Sequence, residues 1–460
     1  MSFSVVKKSS LKLITMPLVM GLGFLVNMTL PNILPSEDVG MINFSMTLSV
    51  VCSIFLGMGL SNAILRYYER YGKDILYTNL SFIFLISIVL SPLAITLISF
   101  FGFSITNSFY IYFIGVLSAF FSNFEKQSIV RGGVLGSEFF ASLVTRLAPL
   151  ILIFFSFFTG FISDYNVYVK SLFFVSFLLF CVIVIGFFLL NRKVRILEWC
   201  EIKTVAGYSF PLMMSGLMSF IYLWGDSFII KIMAESKELA YYNIAYLFAS
   251  LLKSLSVISI TSLLIAKISS LSEKNQIEEF DRAVDFSRTV GIVVFFSVIG
   301  SYPIIYGFLL PEEYSAGGVA LYVLLSGMLI VAYVGPVSAI AAVKNKQYIL
   351  LRSSILSAFF NVILGAILIR HFGITGVAVS TALSEIIFSL LIVKGVKFEI
   401  KKVRKPYLFF SFSLLVIFLI KLLFLDELAF SVVGIFFNLL VYFSYLLLVF
   451  VFYARKYIFK

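Results

Sequence analysis

Residues 41–100 read MINFSMTLSVVCSIFLGMGLSNAILRYYERYGKDILYTNLSFIFLISIVLSPLAITLISF. Two apolar runs, 41–63 and 76–100, flank a short gap that carries Arg66, Arg70 and Lys73. Each run is long enough to cross a bilayer core as an α-helix, which takes about 20 residues. Neither shows the alternating segments of about 10 residues expected of an outer-membrane barrel strand. Helices are the expected form, because each helix satisfies its own backbone hydrogen bonds in hydrocarbon.

The pattern extends along the whole chain. Of 460 residues, 61% are hydrophobic and 13% charged, against roughly 25% charged in ordinary soluble domains. Mean hydropathy is +1.07. Fourteen spans are expected: 13–30, 41–63, 76–100, 108–124, 136–159, 167–190, 205–230, 240–265, 289–309, 319–343, 348–369, 375–393, 407–424 and 428–453. The fourth has the thinnest apolar signal, diluted by Asn107, Ser108, Ser118, Ser122 and Asn123. The fold class is therefore all-α, a polytopic integral membrane protein of about fourteen helices.

Threading the spans sorts the bases. Of 35 lysines and arginines, 28 fall in every second gap and at both ends of the chain. The intervening gaps receive Lys170, Lys231, Lys237, Arg370 and Lys421, with most of the isolated acids. By the positive-inside rule the base-rich side is cytoplasmic, which places both termini inside a plasma membrane. The net charge of +12 then concerns insertion and anionic lipid, and nucleic acid is not an expected partner.

Cys52, Cys181 and Cys200 are isolated and His371 is the single histidine, so neither a disulfide framework nor a metal site is expected. The first apolar run lacks a small-residue cleavage pattern, so it reads as a retained helix. No P-loop sequence lies in the gaps, and a bound cofactor is not expected. The segment 266–288 reads either as an amphipathic surface helix or as a solvated extension of its flanking spans.

A faint repeat organises the chain. Met16-Pro17-Leu18-Val19-Met20-Gly21 is similar to Phe210-Pro211-Leu212-Met213-Met214-Ser215. Ser36–Asn43 is likewise similar to Ser236–Asn243. Spans 1 and 7 run in the same direction, as parallel repeats related by an axis along the membrane normal. The expected domains are an N-lobe at 1–190, a linker at 191–204, a C-lobe at 205–393, and a tail of linker and two helices at 394–460. Pro17, Pro211 and Pro336 interrupt spans 1, 7 and 10.

Two bases fit neither side. Arg146 lies about ten residues into span 5 and Lys253 about thirteen into span 8, close to the midplane at about 1.5 Å per residue. Deep charges face protein or a wet cavity. Both read as cavity cations for an anionic ligand, against an alternative of structural ion pairs or snorkelling. Asp226 and Glu385 are candidates for ion pairing or for coupling to H+ or Na+. Asn27 and Asn243 add deep uncharged polarity, either as helix glue or along a polar route. Nothing here supports covalent catalysis.

The stretch Leu356–Leu364, with Asn361, followed by Ile369–Thr381, resembles the late helix pair of bacterial polysaccharide flippases in the multidrug/oligosaccharidyl-lipid/polysaccharide superfamily, relatives of MATE transporters. The matching residues are Asn361, Gly373, Ile374, Gly376, Ala378 and Thr381. Asp226–Ile230 with Ala240–Ala245 resembles the family's seventh and eighth helices, and Pro311–Ala316 its loop before helix 10. The resemblance implies two six-helix lobes around a central cavity, here with two added C-terminal helices. It also implies movement of lipid-linked sugars from the inner to the outer leaflet. Arg146, Lys253, Asn27 and Asn243 become the implied substrate-binding residues, the two cations holding the lipid pyrophosphate. The body of span 1 lacks the cation that peptidoglycan-precursor flippases often carry there, which favours the capsule or O-antigen branch.

The expected function is translocation of an undecaprenyl-pyrophosphate-linked oligosaccharide, without bond breakage. Expected partners are that substrate, anionic lipids, a polysaccharide polymerase and glycosyltransferases. The alternatives are a small-molecule exporter of the same superfamily and a membrane glycosyltransferase or ligase.

Overall fold

In the computed structural model, residues 21–396 are described, apart from 132, 191–194, 269–272 and 345. The expected spans 407–424 and 428–453, and the start of the first span with Pro17, lie outside the described residues. Within them ten helices are long and apolar enough to cross a membrane. One of these, Gln347–Val396, folds back at Gly373, where φ is 55° and ψ is −143°. Its two arms coincide with the expected spans 348–369 and 375–393. The chain is thus an all-α polytopic membrane protein.

The helices are named in order: α1 over 21–33, α2 Ser36–Gly57, α3 Leu60–Tyr71, α4 Lys73–Ser99, α5 Ile105–Val130, α6 Gly136–Thr159 and α7 Tyr165–Phe187. Then follow α8 Trp199–Met233, α9 Ser236–Thr261, α10 Glu273–Gly300, α11 Gly318–Val334, α12 Val337–Val343 and α13 Gln347–Val396. They fall into two compact units, Met1–Ala240 and Tyr241–Lys460.

In the first unit α5 is the hub, packing on α2, α3, α4, α6 and α7. The polar residues that thinned its apolar signal explain this. Asn107, Ser108 and Asn123 are buried among helices. The Asn79 amide donates to Asn123 Oδ1 at 3.1 Å and to the Leu60 carbonyl at 3.0 Å. Small residues let backbones approach, a substitute for hydrophobic drive between membrane helices. A Cβ on Gly115 would sit 2.6 Å from the Cys52 Cβ.

The expected span 41–63 is broken. Met58 and Gly59 take positive φ, 44° and 71°, and α3 starts afresh at Leu60. Arginines here rest on tyrosine faces: Arg66 of α3 lies 4.5 Å from the Tyr208 ring centre, and Arg131, just after α5, lies 5.9 Å from that of Tyr68 on α3. Such contacts anchor basic residues at a membrane boundary. Arg195 ties the segment before α8 to the start of α4, its Nε 3.3 Å from Asp74 Oδ2.

The repeat has a structural counterpart. Helix stops at residue 33 and resumes at Ser36, and stops at Met233 and resumes at Ser236. Gly40 packs directly on the Ser236 carbonyl, where any Cβ would collide. Lys231 donates to Ser236 Oγ at 2.8 Å and contacts Met41 Sδ at 2.9 Å.

In the second unit α11 packs on α10 and α13. Pro336 does interrupt its span: α11 ends at Val334, Gly335 has φ 85°, and α12 starts at Val337. Pro211, by contrast, lies inside an unbroken α8. The described part of the charged segment, 273–288, is the first part of α10 and runs into the span that follows, with Phe280, Val284, Asp285 and Arg288 buried. Arg288, sorted with the cytoplasmic bases, is in fact fully buried. Its Nε donates to the Tyr333 carbonyl at 2.9 Å, and Asp285 lies one turn before it.

Candidate functional site

Lys253 and Glu385 come together. Nζ lies 2.5 Å from Glu385 Oε1, joining residues 132 positions apart in sequence. The Glu385 side chain is 4% exposed and that of Lys253 17%. The lysine therefore keeps one side toward open space while the acid is enclosed. A base and an acid that each look expensive alone in an apolar run are neutralised by each other.

The backbone at Lys253 is unusual. Directly after it the helix widens into a π-turn, Ser254–Ile258, before α-helix resumes. Arg146 lies inside a second π-turn, Leu143–Leu147, within α6. Single π-turns are rare and concentrate at functional sites, because the extra residue re-aims side chains while the helix continues. Arg146 thus lies within locally widened helix, and Lys253 immediately precedes another such turn.

Arg146 rests against α1. A Cβ on Gly23 would lie 3.1 Å from its Nε and 3.4 Å from its Cδ. The absent side chain of Gly23 is what admits the arginine. One turn on, Asn27 donates from Nδ2 to the Gly23 carbonyl at 2.8 Å. Arg146 and Asn27 therefore share the Gly23 turn, both half-buried.

Asn243 stands half-buried on α9, almost three turns before Lys253. Asp226 is buried within α8, and its Oδ1 accepts from the Ser227 backbone at 2.9 Å.

A polar string extends from the fold-back of α13. Asn361 Oδ1 accepts from Ser380 Oγ at 2.9 Å, and Thr381 Oγ1 lies 3.0 Å from the Tyr242 hydroxyl. Thr381 is one turn from Glu385 on the same arm, so this string borders the ion pair. Tyr242, Ser380 and Gly23 were not singled out as site residues in the sequence. Gly23 carries no signal of its own. The role of Tyr242 requires the fold-back that brings α9 to the second arm.

Among the described residues no group of three or more histidines, cysteines or acids gathers to hold a metal.

Comparison with known proteins gives the following. A family described as "Polysaccharide biosynthesis protein" matches residues 5–272. A "Probable low-salt glycan biosynthesis flippase Agl15" of Haloferax volcanii is 24% identical over 193 residues, 41% of this chain and 41% of that protein. The alignment thus spans about two fifths of that relative's length. Among solved structures, "Lipid II flippase MurJ, inward closed conformation" superposes with a TM-score of 0.75 at 19% identity, covering 97% of this chain and 99% of that one. A MOP superfamily transporter from Pyrococcus furiosus superposes with a TM-score of 0.56 at 15% identity, covering 86% and 94%. At these identities the likeness is one of fold.

Proposed function

We propose a transport function on one premise: the chain belongs to the polysaccharide biosynthesis protein family, within the superfamily that holds the lipid-linked sugar flippases. Its function is translocation of a polyprenyl-pyrophosphate-linked oligosaccharide between leaflets, for a surface polysaccharide. Arg146 and Lys253 supply positive charge to the pyrophosphate. Asn27 and Asn243 offer hydrogen bonds to the polar head. The observation that carries the reading is the placement of both deep cations at π-turns, Arg146 within one and Lys253 directly before the other, each with a built neighbour, Gly23 for one and Glu385 for the other.

The physical argument is charge. An anionic sugar head crosses hydrocarbon only inside a polar enclosure that replaces its water, and fixed cations supply part of that replacement. No bond need form or break. The lipid tail stays in the bilayer throughout.

The finer architecture belongs to the same proposal. Lobes at 1–190 and 205–393, of six helices each, flank the cavity, and spans 13 and 14 lie outside them. Both termini face the cytoplasm of a plasma-membrane protein. Glycosyltransferases supply the lipid-linked substrate and a polymerase consumes it. Asp226 contributes to coupling or to holding the bundle.

Removal of the gene tests this reading. It predicts accumulation of one lipid-linked oligosaccharide on the cytoplasmic leaflet, relieved by the wild-type chain and not by Arg146→Ala combined with Lys253→Ala. Relief by that double variant at normal protein level contradicts it. Drug efflux without any glycan defect would select the small-molecule exporter instead.

A further inference from the structure

Pro336 leaves two carbonyls of its own span without helical donors. It has no N–H for the Ala332 carbonyl four residues back. The Val337 amide turns to the Gly335 carbonyl at 2.8 Å, instead of to Tyr333. Inside a membrane such freed carbonyls must be satisfied by a neighbour. Two adjacent side chains of α10 do this. Ser287 Oγ donates to the Ala332 carbonyl at 3.0 Å, and Arg288 Nε to the Tyr333 carbonyl at 2.9 Å. Both side chains are enclosed, at 0% exposure. Asp285, one turn earlier, sets a carboxylate oxygen 3.8 Å from Arg288 Nη1.

Two glycines bring the neighbouring segments onto the same seat. A Cβ on Gly335 would lie 2.7 Å from Val284 Cγ2, so the break in the α11–α12 span rests directly on α10. A Cβ on Gly291 would lie 2.6 Å from the Ala332 Cβ and 3.8 Å from Leu252 Cδ2. Leu252 is the residue before Lys253, and the π-turn after Lys253, Ser254–Ile258, packs on this same α10. Val284, Ser287, Arg288 and Gly291 recur at three- and four-residue intervals, so they share one face of the helix. The face that grips the break thus also meets the turn that carries Lys253.

A π-turn holds a helix out of its regular register, and only its packing keeps it so. We propose that Arg288 is a positioning residue for the cargo site. By pinning the broken span to α10 it fixes the seat of the Lys253 turn, and with it the direction of the Lys253 ammonium. Arg288 is enclosed and acts through the fold, not by contact. This rests on the reading of Lys253 as a cargo cation.

The experiment measures binding of farnesyl diphosphate to the full chain in phosphatidylcholine nanodiscs. Affinity is read on the folded, monodisperse fraction, so that a loss of stability alone does not move it. Arg288→Met keeps the bulk and removes the donors. It should weaken binding at least about tenfold, since a misplacement of about 1 Å is enough for such a loss. Arg288→Lys can still donate to the Tyr333 carbonyl and should recover most of the affinity. Gly291→Ala disturbs the same seat without touching the arginine, because the new methyl meets the Ala332 Cβ. It should also weaken binding, and adding Ala332→Gly should restore it. That pair decides the matter if Arg288→Met does not fold. The loss should belong to the Lys253 contact. Arg288→Met added to Lys253→Met with Glu385→Leu should therefore weaken the residual binding no further. A further loss there marks a general defect and overturns the inference. Wild-type affinity in Arg288→Met, or in Gly291→Ala where the first variant does not fold, overturns it too and leaves the cargo reading standing. A wild type that does not bind farnesyl diphosphate removes the cargo reading, and this inference with it.

Discussion

At the scale of single residues, a charge in an apolar run is the loudest signal a membrane sequence carries. Arg146 and Lys253 were legible for that reason. Their neighbours were not. The partner of Lys253 lies 132 positions away, and nothing in a one-dimensional pattern selects Glu385 over Asp226 for that role. Gly23 is silent in sequence, because its contribution is the absence of a Cβ beside Arg146. The burial of Arg288 was not legible, because the polar stretch before it looks solvated, while the helix carries the arginine into the core.

Gly23→Ala should retain most transport, since the 3.1 Å contact is with a flexible side chain that can shift. Gly23→Leu should lose transport to the level of Arg146→Ala, and adding Arg146→Ala to it should cost nothing more. That non-additivity in a translocation assay distinguishes positioning of the arginine from a general packing defect. Glu385→Ala strands Lys253 and should lower stability by about 3–5 kcal/mol in a detergent unfolding experiment. Lys253→Met with Glu385→Leu should recover much of that stability while transport stays lost, because a buried pair is weak evidence for net stabilisation.

At the scale of elements, helix identity was readable and helix irregularity was not. Apolar length located the spans, but no residue pattern announced the π-turns at Leu143–Leu147 and Ser254–Ile258. A π-turn is one extra residue in an otherwise continuous helix, and hydropathy is blind to a single insertion. Polarity misled at α5, where the asparagines and serines that weakened the apolar signal are the contacts that make it the hub of its unit. Deletion of Thr145 should restore a regular α6, preserve expression and swing Arg146 out of register, and transport should fall as for Arg146→Ala. Full transport by the deletion variant would show that the π-turn has no bearing on the site. Gly373→Ala forces a Cβ into φ 55°, ψ −143° and should cost about 1–3 kcal/mol in the same unfolding experiment.

At the scale of the whole molecule, the alternation of basic gaps implies an orientation, and it can be checked directly. Single cysteines placed at Lys73 and Lys346 should react with impermeant maleimide only after the cytoplasmic face is opened, whereas one at Glu235 should react from outside in intact cells. The reverse pattern would invert the proposed topology. The repeat was also legible. Its two copies, at Ser36 and Ser236, begin helices after matching breaks. Short similar strings reveal such a break because backbone geometry at a helix start depends on a few local residues. The boundary between compact units was not legible, since it depends on which helices pack together.

The central claim is that two deep cations move a pyrophosphate-linked sugar across the bilayer. The direct measurement is translocation of a fluorescent polyprenyl-pyrophosphate oligosaccharide in proteoliposomes holding the purified chain. The wild type should expose the sugar to a membrane-impermeant quencher well above empty vesicles, and Arg146→Ala with Lys253→Ala should fall to the empty-vesicle rate. Equal rates for wild type and double variant, with both proteins folded and inserted, would contradict the account.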